Sequence, residues 1–352
     1  MRAAVYYGPG DIRIEQRPKP VAGANQAVVK IDYVGICGTD VHSYHRDGLV
    51  APARILGHEN VGTVVEIGPG VTSLEPGDQI LCGPPSHCKE GCPICRTGAT
   101  NICINGFPRT AGIGQVDGGY AEYMLVPDVA HTMLIKVPPG VDPREAVLFD
   151  VVCVSFHAIR KSRFRLGDNV VVSGAGPIGL SAISLLKLGG AGKIIALEPD
   201  ESKYPLIKSY GADHILNPIQ EKDLRGKIIE IVGSGVGADV VFECVGSAKS
   251  LEACVLASVK PGGQVMMVGT SGEPIGLSSG ALVICEIDLQ ASFVYTPDEV
   301  STYLELMAAG KINFKSLVTD VIRLEDCVNK GLARLLKPNN GQIKILIDPS
   351  LL

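Results

Sequence analysis

Apolar residues fall into two rhythms along this chain. Up to about residue 150 they come in short runs broken by turn residues: AAVYY, QAVVKIDYV, VGTVVEIG, DQILCG and YAEYMLVP. Runs of Val, Ile and Tyr bounded by Gly, Pro and Asp predict strands, so this stretch reads as a mostly β domain with long loops. From about residue 151 the rhythm changes. VVCVSFHAIRKS has helical spacing, NVVVSGAG is an apolar strand running into glycines, IGLSAISLLKLGGA is an amphipathic helix, and KIIALEPD is a second apolar strand. SKYPLIKSYGA, ADVVFECVG, SLEACVLASV and GGQVMMVGT continue the alternation, and DLQASFVY (288–295) is a candidate last strand. Apolar strands alternating with helices predict a parallel sheet covered on both faces. A helix, VSTYLELMAAGKI, and a strand, GQIKILID, follow and are expected to rejoin the first domain. The expected fold class is α/β. A doubly wound parallel-sheet domain spans 151–295, and a mostly β domain is built from 1–150 and 296–352.

Composition narrows the function. The chain of 352 residues is long enough for two domains, and with 46% hydrophobic and 20% charged residues it is not a disordered protein. A net charge of −5 with no basic block speaks against nucleic-acid binding, which depends on phosphate neutralisation. No apolar run approaches the roughly 18 residues a membrane span needs. The opening stretch MRAAVYYGPGDIRIEQ has no apolar core of a signal peptide, so the expected compartment is the cytoplasm. There the eleven cysteines stay reduced, and a cluster of them points to metal rather than disulfides.

Three patterns carry chemistry. Gly174-Ala175-Gly176-Pro177-Ile178-Gly179 fits G-x-G-x-x-G between the strand Val170-Val171-Val172 and a helix. Such glycines let the backbone turn tightly and approach a pyrophosphate seated on the helix N-terminus. An acid is wanted about 20 residues on, and Glu198 ends KIIALE. Its carboxylate suits the ribose hydroxyls of NAD and repels the 2′-phosphate of NADP, although Lys203 nearby softens that preference. Next, Cys88-x3-Cys92-x2-Cys95-x7-Cys103 lies in a long loop with little periodicity. Four thiolates at this spacing can close a structural zinc site, which would supply the folding energy the loop lacks. Cys82, at the end of DQILC, reads as core. Third, Cys37 follows KIDYVGI and His58 precedes the strand ENVGTVVEIG, so a thiolate and an imidazole sit on separate loops. A catalytic zinc takes three protein ligands. Spacing alone leaves Asp150, Glu59, Cys153 and His157 as candidates for the third.

GICGTDVH, GHENVGTVVEIG, the four-cysteine loop, DGGYAEY, SGAGPIG, GADVVFECVG and VKPGGQVMMVG occur in this order over nearly the whole chain. Together they resemble the zinc-dependent medium-chain alcohol dehydrogenase family, and Gly57-His58-Glu59-x2-Gly62-x5-Gly68-x2-Val71 matches its zinc signature. YTPDEVSTYLELMAAGKI and LVTDVIRLEDC are similar to the polyol, sorbitol and butanediol dehydrogenase branch. The resemblance implies a GroES-like catalytic domain beside a Rossmann domain, with NAD and up to two zinc ions per chain. It implies Cys37, His58 and Asp150 as ligands of the catalytic zinc, and Cys88, Cys92, Cys95 and Cys103 of the structural one. Thr39 corresponds to the hydroxyl that bonds the substrate oxygen, and His42 to the surface end of a proton relay. Asp40 corresponds to the carboxylate that orients the ligating histidine, and Glu59 to the acidic neighbour behind the zinc. Val245, Val268, Gly269 and Thr270 fall where ribose and nicotinamide are flanked, with the catalytic cleft between the domains. A homo-oligomer, dimer or tetramer, is also implied. The expected reaction is hydride transfer from a secondary alcohol or polyol to NAD. Two other readings remain: a zinc-stabilised NAD-binding redox sensor or scaffold, and a zinc-independent enone or quinone reductase. The chain departs from the family in two places. Its first cysteine gap holds three residues, Lys89-Glu90-Gly91, rather than two. Asp150 is also a less common ligand than Cys or Glu, and a hard oxygen donor makes exchange with other divalent ions conceivable.

Overall fold

A computed structural model describes every residue except 47–49, 89–90, 271–273 and 338–339. Lys89 and Glu90 of the enlarged cysteine gap therefore lie outside the described residues. The chain forms two units, one of residues 1–150 with 294–352 and one of residues 151–293.

Strands β1 (Arg2–Gly8), β2 (Asp11–Gln16), β3 (Ala27–Gly35), β4 (Arg54–Ile55), β5 (Glu59–Ile67), β6 (Gln79–Gly83), β7 (Tyr123–Val126) and β8 (Met133–Lys136) belong to the first unit. β9 (Val170–Ser173), β10 (Ile194–Leu197), β11 (His214–Leu216), β12 (Ala238–Glu243), β13 (Val259–Met267) and β14 (Asp288–Ala291) make up the second. β15 (Val318–Arg323) and β16 (Lys344–Asp348) return to the first.

In the first unit a seven-stranded sheet runs β15-β16-β3-β5-β6-β8, with β7 paired to β3, beside a three-stranded sheet β2-β1-β4. β3 pairs antiparallel with β5 from Ala27↔Ile67 to Gly35↔Glu59, and β16 pairs antiparallel with β3 at Leu346↔Gly35. That register brings the end of β3, the start of β5 and the late strand β16 together. The core beneath them is aliphatic, with Val29, Ile31, Val34, Ile80, Ile345 and Ile347 all buried. The described residues of the 84–118 stretch contain only short single turns, and Cys88, Cys92 and Cys103 form a small buried cluster of their own.

The second unit is a six-stranded parallel sheet in the order β11-β10-β9-β12-β13-β14. This is the doubly wound order, in which the switch point lies between β9 and β12 and ligands bind at the carboxyl ends of the strands. VVVS of β9 and IIAL of β10 are buried at every position, as strands covered on both faces must be. DLQA becomes the edge strand β14.

Candidate functional site

Cys37, His58, Glu59 and Asp150 each offer one ligand atom, and these atoms lie within 4.8 Å of one another. The sheet explains the convergence. Cys37 follows β3 and caps the helix Gly38–His45, while His58 and Glu59 stand at the start of β5, the strand paired with β3. Asp150 comes from the first turn of the helix Phe149–Lys161. His58, Glu59 and Asp150 are buried and Cys37 is half-buried. Cys153 is buried one turn along the helix and falls outside this group, as does the half-buried His157.

The electrostatics fit a cation. Burial pushes the His58 imidazole down, but the Cys37 thiolate, Asp40 and Asp150 push it up further, to about 10. His58 Nδ1 and Asp40 Oδ1 are 3.7 Å apart, and both are buried with no hydrogen-bond partner among the described residues. Orphaned buried polar atoms are rare in folded proteins. Here they border a cluster of acidic groups and a thiol, so the donor set fits a borderline-soft divalent metal such as zinc.

Four residues brace this set, and only one of them, Asp40, has a role assigned from the sequence. Asp40 Oδ2 accepts the Cys37 N–H at 3.0 Å and the Tyr120 hydroxyl at 3.0 Å. The Tyr295 hydroxyl donates to Asp150 Oδ1 at 2.6 Å, and Tyr295 packs edge-on against Phe149. Lys344, buried in β16, donates to Glu59 Oε1 at 2.6 Å and to the Ile36 carbonyl at 3.1 Å. A Cβ on Gly35 would come within 1.9 Å of Glu59 Oε2, so glycine is required for the glutamate to fit. Tyr120 and Tyr295 stand in the stretches DGGYAEY and YTPDEV, but their bracing role cannot be read there, because their partners lie 80 and 145 residues away. Lys344 does give a local signal: a lysine inside the apolar strand KILID needs a buried acid.

Thr39 and His42 sit three residues apart on the same helix, hence on one face. The Thr39 hydroxyl lies 3.6 Å from Cys37 Sγ. His42 is exposed, 3.5 Å from Arg46, and partial burial with the Arg46 and His45 charges lowers its basicity.

The second cluster is Cys88, Cys92, Cys95 and Cys103, again with all ligand atoms within 4.8 Å. The Cys88–Cys95 and Cys92–Cys103 sulfur pairs are both 3.9 Å apart. A tetrahedral zinc with Zn–S bonds of about 2.3 Å needs sulfurs about 3.8 Å apart. Backbone N–H groups of Cys92 and Cys95 point at Cys88 Sγ and Cys92 Sγ, at 3.2 and 3.5 Å. The Cys95 N–H lowers the Cys92 thiol, which favours the thiolate a metal needs. Cys82 lies apart, buried in the core, with its thiol pushed up to about 12 by burial.

In the second unit, Gly174 has φ +91°, a turn few other residues make. A Cβ on Gly179 would sit 1.9 Å from the Gly174 carbonyl, so the helix Pro177–Leu188 packs directly on the turn. Gly176 has open space where its Cβ would be, and no side chain caps that helix. Pro177 and Ile178 form its first turn. The uncapped N-terminus beside this space is a cradle for an anion. Glu198 is buried and accepts the Ala175 N–H at 2.9 Å and the Asp200 N–H at 3.0 Å, with Lys203 3.4 Å away. Val245 is half exposed at the exit of β12, and Val268, Gly269 and Thr270 follow β13.

Known proteins align with both units. The family model described as alcohol dehydrogenase GroES-like domain matches residues 23–139, and that described as zinc-binding dehydrogenase matches residues 177–309. Sorbitol dehydrogenase of Bacillus subtilis is 31% identical over 99% of this chain and 98% of its own length. (R,R)-butanediol dehydrogenase of Neisseria gonorrhoeae is 30% identical over 100% of both. The solved 2R,3R-butanediol dehydrogenase of Bacillus subtilis superposes with a TM-score of 0.88 at 30% identity, over 99% of each chain. A Sinorhizobium meliloti 1021 protein crystallised with NADP gives 0.89 at 29% identity, over 99% of each.

Proposed function

Because the chain belongs to the zinc-dependent alcohol dehydrogenase family, we propose that it oxidises a CH–OH group of a secondary alcohol or polyol to the carbonyl, with NAD as hydride acceptor. The observation that carries this reading is the meeting of Cys37, His58 and Asp150, from three separate elements, within 4.8 Å.

Cys37, His58 and Asp150 would hold the catalytic zinc, and the four loop cysteines a structural one. When bound, zinc supplies Lewis acidity that makes an alcohol hydroxyl more acidic, and NAD supplies the hydride acceptor. The chain does the rest. Thr39 orients the substrate oxygen, accepts its proton and passes its own hydroxyl proton on toward His42. His42, kept less basic than a free histidine, is neutral at pH 7 and receives that proton at the surface. Asp40, 3.7 Å from His58 Nδ1, faces the ring and can orient it, and Tyr295 fixes the carboxylate of Asp150. Glu59 stays tied to Lys344, so it supports the site from behind. Gly174, Gly176, Pro177, Ile178 and Gly179 would seat the pyrophosphate. Glu198 has lone pairs left for the adenosine ribose hydroxyls, with Lys203 beside it. Its buried carboxylate favours NAD over NADP. Val245, Val268, Gly269 and Thr270 would flank the ribose and nicotinamide.

Among the described residues one side of the edge strand β14 is unpaired, and Val283, Ile284 and Phe293, close to it in sequence, are exposed. Unpaired strand edges with apolar neighbours favour self-association, which supports a homodimer or homotetramer. No helix among the described residues is long and apolar enough to cross a membrane. All eleven cysteines are free of disulfides, which agrees with the cytoplasm.

The test is metal analysis together with an NAD-reduction screen over primary, secondary and polyol alcohols. Up to two zinc per chain and turnover of secondary or polyol substrates are expected. A protein that binds NAD yet oxidises no alcohol would overturn the reading in favour of a redox sensor or scaffold. Full activity after removal of the metal would favour an enone or quinone reductase.

A further inference from the structure

Glu243, the last residue of β12, is a buried carboxylate with an unusual set of partners. Its Oε1 accepts the backbone N–H groups of Val245 and Gly246, both at 2.9 Å, and the Ser250 hydroxyl at 2.7 Å. Its main-chain carbonyl accepts the N–H groups of Val268 and Gly269, also at 2.9 Å. Ser250 in turn meets the hydroxyl of Ser173, the last residue of β9, at 2.9 Å. One residue thus joins the exits of β9, β12 and β13, at the switch point of the sheet.

The turns it joins are packed backbone on backbone. Gly246 has φ +74°, and a Cβ there would lie 2.4 Å from the Thr270 carbonyl oxygen. A Cβ on Gly269 would lie 2.2 Å from the Gly246 nitrogen. Val245 leans over the glycine loop, its Cγ2 2.7 Å from where a Cβ on Gly174 would stand, yet half of it faces solvent. Successive backbone N–H groups in such a turn make an anion-binding concavity. Here the chain fills that concavity with its own carboxylate.

We propose that Glu243 is a positioning residue for the dinucleotide, holding Val245-Gly246 and Val268-Gly269-Thr270 in the shape that receives its ribose–nicotinamide end. It rests on the NAD reading above and adds a residue to it. Glu243 does not touch the ligand. It fixes the rim before the ligand arrives, so that binding does not have to order it.

NADH binding, followed by fluorescence titration of the zinc-loaded protein, tests this apart from turnover. Glu243→Ala removes the acceptor of the Val245 and Gly246 N–H groups and of the Ser250 hydroxyl, and a rise in the Kd for NADH of tenfold or more is expected. The KM for NAD should rise with it, while kcat at saturating NAD and zinc content stay within threefold of wild type. Glu243→Gln keeps an oxygen at the Oε1 position, where nearly all the contacts converge, and should restore the Kd to within threefold. Ser250→Ala, a milder change, should raise the Kd at least threefold and serves if Glu243→Ala does not fold. A Kd within threefold of wild type in Glu243→Ala, or in Ser250→Ala where only that variant folds, overturns the proposal and leaves a purely structural role, even if the melting temperature falls. A wild-type protein that binds no dinucleotide overturns both this proposal and the function it rests on.

Discussion

The two candidate metal clusters of the first unit are built by opposite strategies. Cys88, Cys92, Cys95 and Cys103 come from one short stretch of loop, offer one kind of donor, and are shaped by their own neighbouring N–H groups. Cys37, His58, Glu59 and Asp150 come from distant elements, mix sulfur, nitrogen and oxygen, and depend on Asp40, Tyr295 and Lys344 to stay in place. The first suits a closed site that ties down a loop lacking a core of its own. The second suits an open site whose geometry the fold imposes.

That contrast predicts different consequences of damage to the two sites. Cys37→Ser or Asp150→Ala should remove the catalytic metal and lower alcohol oxidation by about a thousandfold or more, since the metal's activation of the hydroxyl is lost. The four-cysteine zinc and the melting temperature should change little. Metal content per chain and kcat/KM read this directly, and an Asp150→Ala enzyme with full metal and activity would show that another residue is the third ligand. Cys92→Ser should do the reverse. It should cost one zinc and about 3 kcal/mol or more of stability, or at least about 6 °C in melting temperature for a unit of this size. Calorimetry on zinc-loaded samples checks it; an unchanged Tm would mean that the loop holds without metal. Tyr295→Phe should fall between, lowering zinc affinity or kcat about tenfold through the loosened Asp150 carboxylate, with little effect on folding.

How the sequence encodes each cluster follows the same division. The four cysteines were legible from spacing because their contacts are local. The G-x-G-x-x-G turn was legible because two of its glycines do something a side chain would prevent, Gly174 by its φ and Gly179 by its 1.9 Å approach, while Gly176 leaves open space. The alternating pattern also predicted the parallel sheet, including the strand that becomes β14. The catalytic set was only half legible. Cys37 and His58 sit in recognisable motifs, but spacing left Asp150 among four candidates, and family resemblance was needed to favour it. The roles of Tyr295 and Tyr120 leave no periodic trace, because their hydrogen bonds span 145 and 80 residues; Glu243 bonds within seven residues, but a carboxylate that caps its own turn has no motif of its own.

The smallest effect concerns pH. In metal-free protein His58 is raised to about 10, above the roughly 6.5 of a free histidine. Folding therefore takes up a proton, and this contribution to stability is full below about pH 6.5 and fades as the pH rises toward 10. Bound zinc requires the neutral ring and removes the effect. Melting of chelated and zinc-loaded protein across that range should diverge in slope, and parallel curves would mean that His58 does not face the metal.

The interleaving of the units along the chain has a consequence for biosynthesis. Residues 151–293 are contiguous, so their sheet can close as soon as they emerge from the ribosome. The first unit must wait for Tyr295 and β16, which carry the groups that brace Asp150 and Glu59. Domains fold as units during synthesis, N-terminal portions first where they can. In this chain the earliest-made strands belong to the unit completed last. Zinc delivered to a nascent polypeptide would find the four-cysteine loop ready well before the catalytic pocket is assembled.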